Sequence, residues 1–250
     1  MEDGFGEMAI GARIAASAGE CMGILRRSIS DLAFPDFCLG CGAEGHLFCR
    51  ECADRMLCSP VMVCPICKAA DEKSHCAGGD LDHLWTLASY GDNLIAESIR
   101  MIKYDFASGL VHEFWNKHLA AFLRQAGDVL GPDSALIPVP LHRRRHLERG
   151  FNQSESAARE LAGISGLPVN CDLLKRIVYN EPQVGLSGRR RADNIKGIFK
   201  CDYRALSGLW GKRLILLDDV YTTGSTMAEC AKVLKSAGFK RVSGLALAVD

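Results

Sequence analysis

Residues 214–226, Leu-Ile-Leu-Leu-Asp-Asp-Val-Tyr-Thr-Thr-Gly-Ser-Thr, decide the fold. The four apolar residues at 214–217 predict a parallel strand that is buried on both faces. Asp218 and Asp219 follow at the carboxyl end of this strand, where open α/β sheets place their ligands. A turn of hydroxyls and one glycine, at 222–226, then leads into an amphipathic helix. The stretch therefore predicts a ligand site at one edge of an α/β sheet.

The turn at 222–226 suits a phosphate group. Gly224 lets backbone amides approach an anion closely, and the amino terminus of the following helix adds partial positive charge. Asp218 and Asp219 suit the hydroxyls of a neighbouring ribose, or a Mg²⁺ ion bound to that sugar. In the simpler alternative Ser225 or Thr226 caps the helix and both aspartates are solvated. That alternative does not explain the apolar run, the acidic pair and Thr-Thr-Gly together.

Strand and helix patterns alternate over residues 80–250 and predict a parallel sheet covered by helices. The predicted strands are 84–90, 135–139, 214–217 and 242–249, and the predicted helices are 93–104, 112–125, 152–161 and 226–237. Gly127, Gly163 and Gly238 are the predicted helix stops. Two smaller segments precede this domain, a weakly helical extension at 1–34 and a cysteine-rich module at 35–79.

Composition limits the class of protein. Lys+Arg and Asp+Glu balance at 30 each, so no global charge indicates a nucleic-acid or membrane partner. No apolar run approaches the roughly 20 residues of a membrane-spanning helix. Glu2, Asp3 and Glu7 stand where an export signal carries positive charge, so we expect a cytoplasmic protein. In such a protein the 12 cysteines favour metal ligation over disulfides.

Eight of the 12 cysteines lie between residues 38 and 76, mostly in pairs separated by two residues. This spacing lets both sulfurs of a pair face one ion, and two pairs complete a tetrahedral Zn²⁺ site. The chain offers one complete set, Cys38, Cys41, Cys49 and Cys52, and one set of three, Cys64, Cys67 and Cys76. His46, His75 and His83 are possible fourth ligands of the second set, and the choice among them stays open. We expect one structural Zn²⁺, or at most two.

Residues 137–153, Ile-Pro-Val-Pro-Leu-His-Arg-Arg-Arg-His-Leu-Glu-Arg-Gly-Phe-Asn-Gln, form a second functional block. An apolar strand ends there in a turn stiffened by Pro138 and Pro140. Four arginines follow within seven positions, namely Arg143, Arg144, Arg145 and Arg149. Guanidinium groups at this place suit pyrophosphate, which they bind through paired hydrogen bonds. A solvated basic helix is the simpler explanation of the charge alone.

Both blocks resemble motifs of known proteins. Residues 214–226 resemble the phosphoribosyl-pyrophosphate (PRPP) signature of type I phosphoribosyltransferases. Residues 137–153 are similar to the Pro-Val-Pro…Arg-Gly-Phe-Asn-Gln motif of the ComF family, phosphoribosyltransferase-like proteins linked to DNA uptake in competent bacteria. Further positions match that family's pattern, namely Lys103, Tyr104, Gln183, Leu186, Arg191, Asn194 and Phe199. A zinc ribbon of Cys-x2-Cys pairs is also a family trait, although many members have a complete fourth pair where this chain has only Cys76.

The resemblance implies a type I phosphoribosyltransferase fold that binds PRPP with Mg²⁺ and carries an N-terminal zinc ribbon. The implied PRPP-binding residues are Pro138, Val139, Pro140, Arg149, Asn152, Gln153, Asp218, Asp219, Thr222, Thr223, Gly224, Ser225 and Thr226. Residues 180–197 are implied to form a mobile hood over the site, with Arg191 as a catalytic residue beside the acidic pair. Neither the residues nor the resemblance identifies the acceptor of the phosphoribosyl group.

A second interpretation keeps the fold without the enzyme activity. Phosphate-cradling loops and arginines also serve nucleic acid, and stacking aromatics complete a single-strand site. The chain would then handle single-stranded DNA together with DNA-uptake proteins. Aromatic residues near the arginines are few, namely Phe151, Tyr179 and Tyr221, which weakens this interpretation. A PRPP-sensing regulator would need a DNA- or RNA-reading element, and none is recognisable in the sequence.

Overall fold

The computed structural model describes residues 37–45, 48–56, 58–70, 76, 78–104, 109–125, 130–179 and 195–250. The predicted extension at 1–34 lies outside these residues, as do Gly127 and the hood from 180 to 194 with Arg191. The chain divides into two compact units between Arg55 and Met56. The observed division therefore lies inside the expected cysteine-rich module of 35–79.

The first unit contains a tight turn and one short helix, α1 (Arg50–Arg55). In the turn, the amide of Cys38 donates to Ala43 O at 2.8 Å and the amide of Gly42 donates to Cys38 O at 2.8 Å. Gly42 has a φ of +72°, which glycine adopts without the steric cost of a Cβ. The turn thereby folds the first cysteine pair into a compact loop.

The second unit is built on two sheets. The large sheet consists of β1 (Cys58–Val63), β2 (Leu84–Ser89), β3 (Ser134–Pro138), β6 (Arg213–Tyr221) and β7 (Val242–Val249), and the small one of β4 (Leu174–Arg176) and β5 (Phe199–Cys201). The large sheet has the order β1-β2-β7-β6-β3. Strands β2, β7, β6 and β3 run parallel, whereas β1 pairs antiparallel with β2 at the edge. This mostly parallel sheet confirms the predicted α/β class.

Five helices accompany these sheets in the described part of the chain. They are α2 (Asn93–Tyr104), α3 (Gly109–Gln125), α4 (Arg143–Arg149), α5 (Gln153–Ser165) and α6 (Ser225–Ser236). The predicted stop of α5 at Gly163 is wrong, because the left-handed residue that ends this helix is Gly166, with a φ of +73°. Gly238 follows α6 with a φ of +104°, at the stop expected from the sequence.

The core surrounds the central strand β6. Each side chain from Leu214 to Leu217 is at most 2% exposed, so the apolar run is covered on both faces of the sheet as predicted. Helix α6 buries Met227, Cys230, Ala231 and Leu234. Burial on both sides ends at Asp218, which is only partly buried. The first polar residues of β6 therefore mark the edge where a ligand gains access.

Strand β1 was not expected from the sequence, and it ties the second cysteine set to the sheet. Pro60 lies within this strand and would remove a ladder hydrogen bond from a central strand, but an edge strand tolerates it.

Within the described ranges, no helix is long and apolar enough to cross a membrane.

Candidate functional site

The structure brings the two sequence blocks together at one edge of the sheet. Strands β3 and β6 are parallel neighbours, and Pro138 pairs with Leu217. The amide of Val139 donates to Leu217 O at 2.9 Å. Because both strands end here, the loop at 138–140 lies directly beside the acidic pair that follows Leu217. This is the edge at which parallel sheets place their ligands.

The acidic pair is held by hydrogen bonds and remains partly exposed. Asp218 Oδ1 accepts from Ser154 Oγ at 3.1 Å and from the amide of Asp219 at 3.0 Å. Asp219 Oδ1 accepts from the amide of Val220 at 2.7 Å. Sequence reasoning missed Ser154, which stands immediately after the Asn-Gln of the second block but belongs to no motif. Two oriented carboxylates at a solvent-accessible edge form a donor set that suits Mg²⁺ or sugar hydroxyls.

The hydroxyl turn leaves the amino terminus of α6 open. The N-cap residue is Gly224, with a φ of +75°, and no side chain caps this end of the helix. The capping alternative is therefore wrong for both Ser225 and Thr226. The Thr223 and Ser225 hydroxyls lie 2.9 Å apart and contact each other. Thr223 Oγ1 also accepts from the amide of Ser225 at 3.5 Å. A helix amino terminus flanked by hydroxyls suits a phosphate.

Tyr221 packs against the hydroxyl turn at Gly224. Its side chain is 4% exposed, so it is not the stacking aromatic that the nucleic-acid interpretation considered. A Cβ atom at Gly224 would lie 2.1 Å from Tyr221 Oη, so any other residue there would require the tyrosine ring to move. Burial, with a contribution from Cys64, raises the pKa of Tyr221 to about 12, so its hydroxyl remains a donor at neutral pH.

Asn152 and Gln153 support the neighbouring loop from inside the protein. Both are buried. Asn152 Nδ2 donates to Val139 O at 3.1 Å, while its Oδ1 caps α5 by accepting from the amide of Ser154 at 3.2 Å. Gln153 Oε1 accepts from Arg149 at 3.3 Å. These contacts position the loop, and the expectation that Asn152 and Gln153 touch PRPP stays a prediction.

The basic residues near the site differ in their surroundings. Arg144 is exposed, pairs with Glu148 at 3.1 Å and lies over the ring of Tyr179 at 4.7 Å, which agrees with a solvated basic helix. Sequence reasoning missed Arg176, which lies in no motif. Its Nε is buried and has no hydrogen-bond partner among the residues that the structure describes.

Arg176 is close enough to the acidic edge to interact electrostatically with Asp218. Burial lowers the pKa of Arg176, and Arg145 lowers it further, whereas Cys230 and Asp218 act in the opposite direction. The side chain lines an open cleft of about 430 Å³ together with Pro140, Arg143 and Asn152. The cleft, which Glu155 and Asp172 also line, therefore joins Pro140 of the loop at 138–140 to a partly desolvated guanidinium.

The first cysteine set fits a zinc ion. The sulfurs of Cys38, Cys41, Cys49 and Cys52 all lie within 4.8 Å of one another. A tetrahedral ion with Zn–S bonds of about 2.3 Å separates its sulfurs by about 3.8 Å, and the Cys41–Cys49 sulfur distance is 3.7 Å. Burial alone would raise the pKa of Cys38, but backbone N–H groups, that of Cys49 foremost, lower it to about 6. The geometry and the thiolate character both suit a structural metal.

The second set brings three sulfurs together, those of Cys64, Cys67 and Cys76, again within 4.8 Å. Hydrogen bonds from backbone N–H groups, that of Cys67 foremost, lower the pKa of Cys64 to about 6. No described residue completes this set; His83 is not grouped with it, and His46 and His75 lie outside the described residues. The second set is therefore a three-sulfur site whose fourth ligand stays open.

The two cysteine turns share one backbone pattern. The amide of Cys64 donates to Ala69 O and the amide of Lys68 donates to Cys64 O, both at 2.9 Å, as at Cys38. The residue in the left-handed region is Lys68, with a φ of +61°, where the first turn has glycine. A non-glycine residue in this region is sterically strained, so Lys68 makes the second turn less stable than glycine would.

Comparison with known proteins agrees with this architecture. The family model "Phosphoribosyl transferase domain" matches residues 147–250. The DNA utilization protein YhgH of Escherichia coli K12 is 30% identical over 220 residues, which cover 83% of this chain and 94% of that protein. The chain belongs to the ComF family of type I phosphoribosyltransferase-like proteins.

Two further relatives carry competence names. The competence protein F of Haemophilus influenzae is 34% identical over 114 residues, 46% of this chain and 49% of that protein. The competence protein ComFC of Bacillus subtilis is 30% identical over 145 residues, 57% of this chain and 49% of that protein. The chain thus matches about half the length of each of these two proteins, and its fold is the type I phosphoribosyltransferase fold that the resemblance implied.

Proposed function

We propose that this ComF-family protein binds PRPP together with Mg²⁺ and either transfers or holds its 5-phosphoribosyl group. One observation carries the proposal: an uncapped helix terminus at Gly224 and the carboxylates of Asp218 and Asp219 lie on the same strand-to-helix turn. An anion site three to six residues from an acidic pair matches a ligand with a phosphate on one side and ribose hydroxyls on the other.

Each part of the site has a distinct role in this proposal. The open amides and hydroxyls at 222–226 bind the 5′-phosphate, and the loop at 138–140 lies on the pyrophosphate side. Asp218 and Asp219 accept from the ribose hydroxyls and offset the positive charge that develops on the ribose as pyrophosphate leaves. Asp218 and Asp219 would also hold Mg²⁺, which would offset the negative charge of the departing pyrophosphate. Arg191 stays a predicted catalytic residue of the hood.

Calorimetric titration of the full chain with PRPP, with and without Mg²⁺, tests the binding. The Asp218→Asn/Asp219→Asn variant should bind PRPP at least about tenfold more weakly in the presence of Mg²⁺, because two charge-assisted contacts are lost. The control is Asp133→Asn. Asp133 precedes β3, at the amino ends of the parallel strands and therefore away from the acidic pair, and it pairs with Arg241 at 2.7 Å. Wild-type protein that fails to bind PRPP would overturn the proposal. Pyrophosphate release with candidate acceptors then distinguishes transfer from binding alone.

Single-stranded DNA handling is a second candidate, and a surface away from the acidic edge favours it. Trp210 stacks on Phe239 with ring centroids 5.4 Å apart and an angle of 12° between the planes, yet it is 60% exposed. The two rings border a cleft of about 360 Å³ together with Lys212 and Lys240. Within the described part, neither lysine forms an ion pair. An exposed aromatic ring beside two cations suits the bases and phosphates of a single strand.

Titration of a single-stranded oligonucleotide over a salt series tests this candidate. Trp210→Ala should weaken binding by roughly 1–3 kcal/mol, the value of one base stacked on an aromatic ring. Lys212→Gln/Lys240→Gln should reduce the slope of log K against log salt by about 1.4, at about 0.7 for each phosphate contact. Lys200→Gln, an exposed lysine on β5, is the control. Unchanged binding in both variants would remove this surface from the DNA interpretation.

A further inference from the structure

A hydrogen bond joins the turn of the second cysteine set, residues 64–69, to the hydroxyl turn at 222–226, which is the proposed phosphate turn. Tyr221 Oη donates to Pro65 O at 2.6 Å, across a separation of 156 residues in sequence. Pro65 lies between Cys64 and Cys67, two members of the three-sulfur set. Tyr221 is the last residue of β6, and the hydroxyl turn follows it directly. The acceptor therefore belongs to one candidate site and the donor to the other.

The same hydroxyl lies against the backbone of Gly224. A Cβ atom built at this position would be 2.1 Å from Tyr221 Oη and 2.5 Å from Tyr221 Cζ. The path of the backbone at the N-cap of α6 consequently depends on where the tyrosine ring sits. The ring in turn is fixed at its far end by the carbonyl of Pro65.

Two further hydrogen bonds connect the same segments through Asp250. The Lys68 ammonium group donates to the main-chain oxygen of Asp250. The amide of Asp250 donates to Tyr221 O at 3.0 Å. Side chain and main chain of Tyr221 are thus both linked to the residues from Pro65 to Lys68. Two independent links make this a mechanical connection rather than a single surface contact.

We propose that Tyr221 is a positioning residue that couples metal binding by Cys64, Cys67 and Cys76 to the geometry of the phosphate turn at 222–226. A metal ion held by both cysteines that flank Pro65 fixes the backbone between them, because ligand binding and folding of such turns are linked. Without the ion, the carbonyl of Pro65 loses its fixed place, the tyrosine hydroxyl loses its acceptor, and the helix terminus loosens. The coupling rests on the proposed function only in its consequence for PRPP affinity.

Hydrogen exchange of the full chain, followed on peptides covering 222–229, tests the coupling without any ligand. Tyr221→Phe should raise exchange there roughly two- to twelvefold, the range that one neutral hydrogen bond supports, while the zinc content stays at the wild-type value. Tyr203→Phe is the matched control, because Tyr203 is 63% exposed in a separate short 3₁₀ helix. Wild-type exchange in Tyr221→Phe overturns the coupling.

Two cysteine variants show whether the metal acts through Tyr221. Cys67→Ser should raise exchange over 222–229, whereas Cys41→Ser, which removes a ligand of the first set, should not. The double variant Tyr221→Phe/Cys67→Ser should raise exchange by less than the product of the two single effects, because both changes break the link through the tyrosine hydroxyl. Additive effects in the double variant would overturn the coupling. If loss of amide protection in β6 and β7 shows that Cys67→Ser does not fold, Cys76→Ser, at an exposed member of the same set, takes its place.

Parallel titration with PRPP separates this inference from the proposed function. If Tyr221→Phe raises exchange over 222–229 but the wild-type protein does not bind PRPP, the coupling stands and the proposed function is refuted. Equal PRPP affinity and equal exchange in wild type and Tyr221→Phe keep the proposed function and refute the coupling. If both hold, Tyr221→Phe weakens PRPP binding by the same two- to twelvefold.

Discussion

Replacement of Gly224 by alanine tests whether the phosphate turn needs glycine for space or only for its backbone angle. At a φ of +75°, any L residue costs roughly 1–2 kcal/mol. The added Cβ would also lie 2.1 Å from Tyr221 Oη, so the ring has to move. That movement breaks the hydrogen bond to Pro65 O, which contributes about 0.5–1.5 kcal/mol. We expect Gly224→Ala to reduce the free energy of unfolding by about 1.5–3.5 kcal/mol.

Gly166→Ala provides the matched control for this prediction. Gly166 follows α5 with a φ of +73°, and a Cβ there would meet nothing within 4 Å. It should therefore lose only the conformational term of roughly 1–2 kcal/mol. Urea unfolding of both variants, at constant zinc, measures the difference between them. Equal losses in the two variants would refute the claim that Tyr221 packs against the turn.

Four other changes have defined outcomes. Ser154→Ala removes the hydroxyl that orients Asp218 and should weaken Mg²⁺-dependent PRPP binding by several-fold in calorimetry. Ser156→Ala, two residues further along the same helix, should not, because the Ser156 hydroxyl bonds to Asn152 O instead. Lys68→Gly should be about 1 kcal/mol more stable to urea than Lys68→Ala, because both lose the ammonium group but only glycine relieves the positive φ. Metal analysis should find one zinc per chain, or two, and Cys41→Ser should lose the ion of the first set only; a single zinc that Cys41→Ser removes would leave the second set empty and contradict the coupling through Tyr221. Burial, with help from Lys117, lowers the pKa of His118 to about 4, so the free energy of unfolding should fall as the pH drops from about 6.5 toward 4; His118→Phe should remove part of that fall in acid titrations, and an unchanged profile would contradict the assignment.

Local patterns predicted the parts of the fold that local patterns control. The apolar run before Asp218 and the following glycine turn revealed a buried strand and a helix start, because each signal lies within a dozen consecutive residues. The alternation of strands and helices predicted the mostly parallel sheet in the same way. The cysteine spacing likewise predicted both sulfur sets, since neighbouring ligands need a fixed separation along the chain.

Residues whose role depends on tertiary contacts escaped sequence analysis. Strand β1 carries a proline and gains its place only by pairing with β2 at the sheet edge. Ser154 on α5 donates to Asp218 and Arg176 on β4 interacts with it electrostatically, but neither residue lies in a motif. Tyr221 appeared as one of few aromatics near the arginines, whereas it is buried beneath the turn. Such assignments require the distances between segments that are far apart in sequence.

The length of β6, nine residues, sets the distance between the two candidate ligand sites. At about 3.3 Å per residue this strand is about 30 Å long, with the acidic pair near its carboxyl end and Trp210 just before its amino end. Electrostatic repulsion between two polyanions is screened over about 8 Å at physiological ionic strength. A nucleotide-sized ligand and a single strand would therefore not compete. Occupancy of one end should leave the dissociation constant at the other end unchanged, and both ligands should be found together on one molecule.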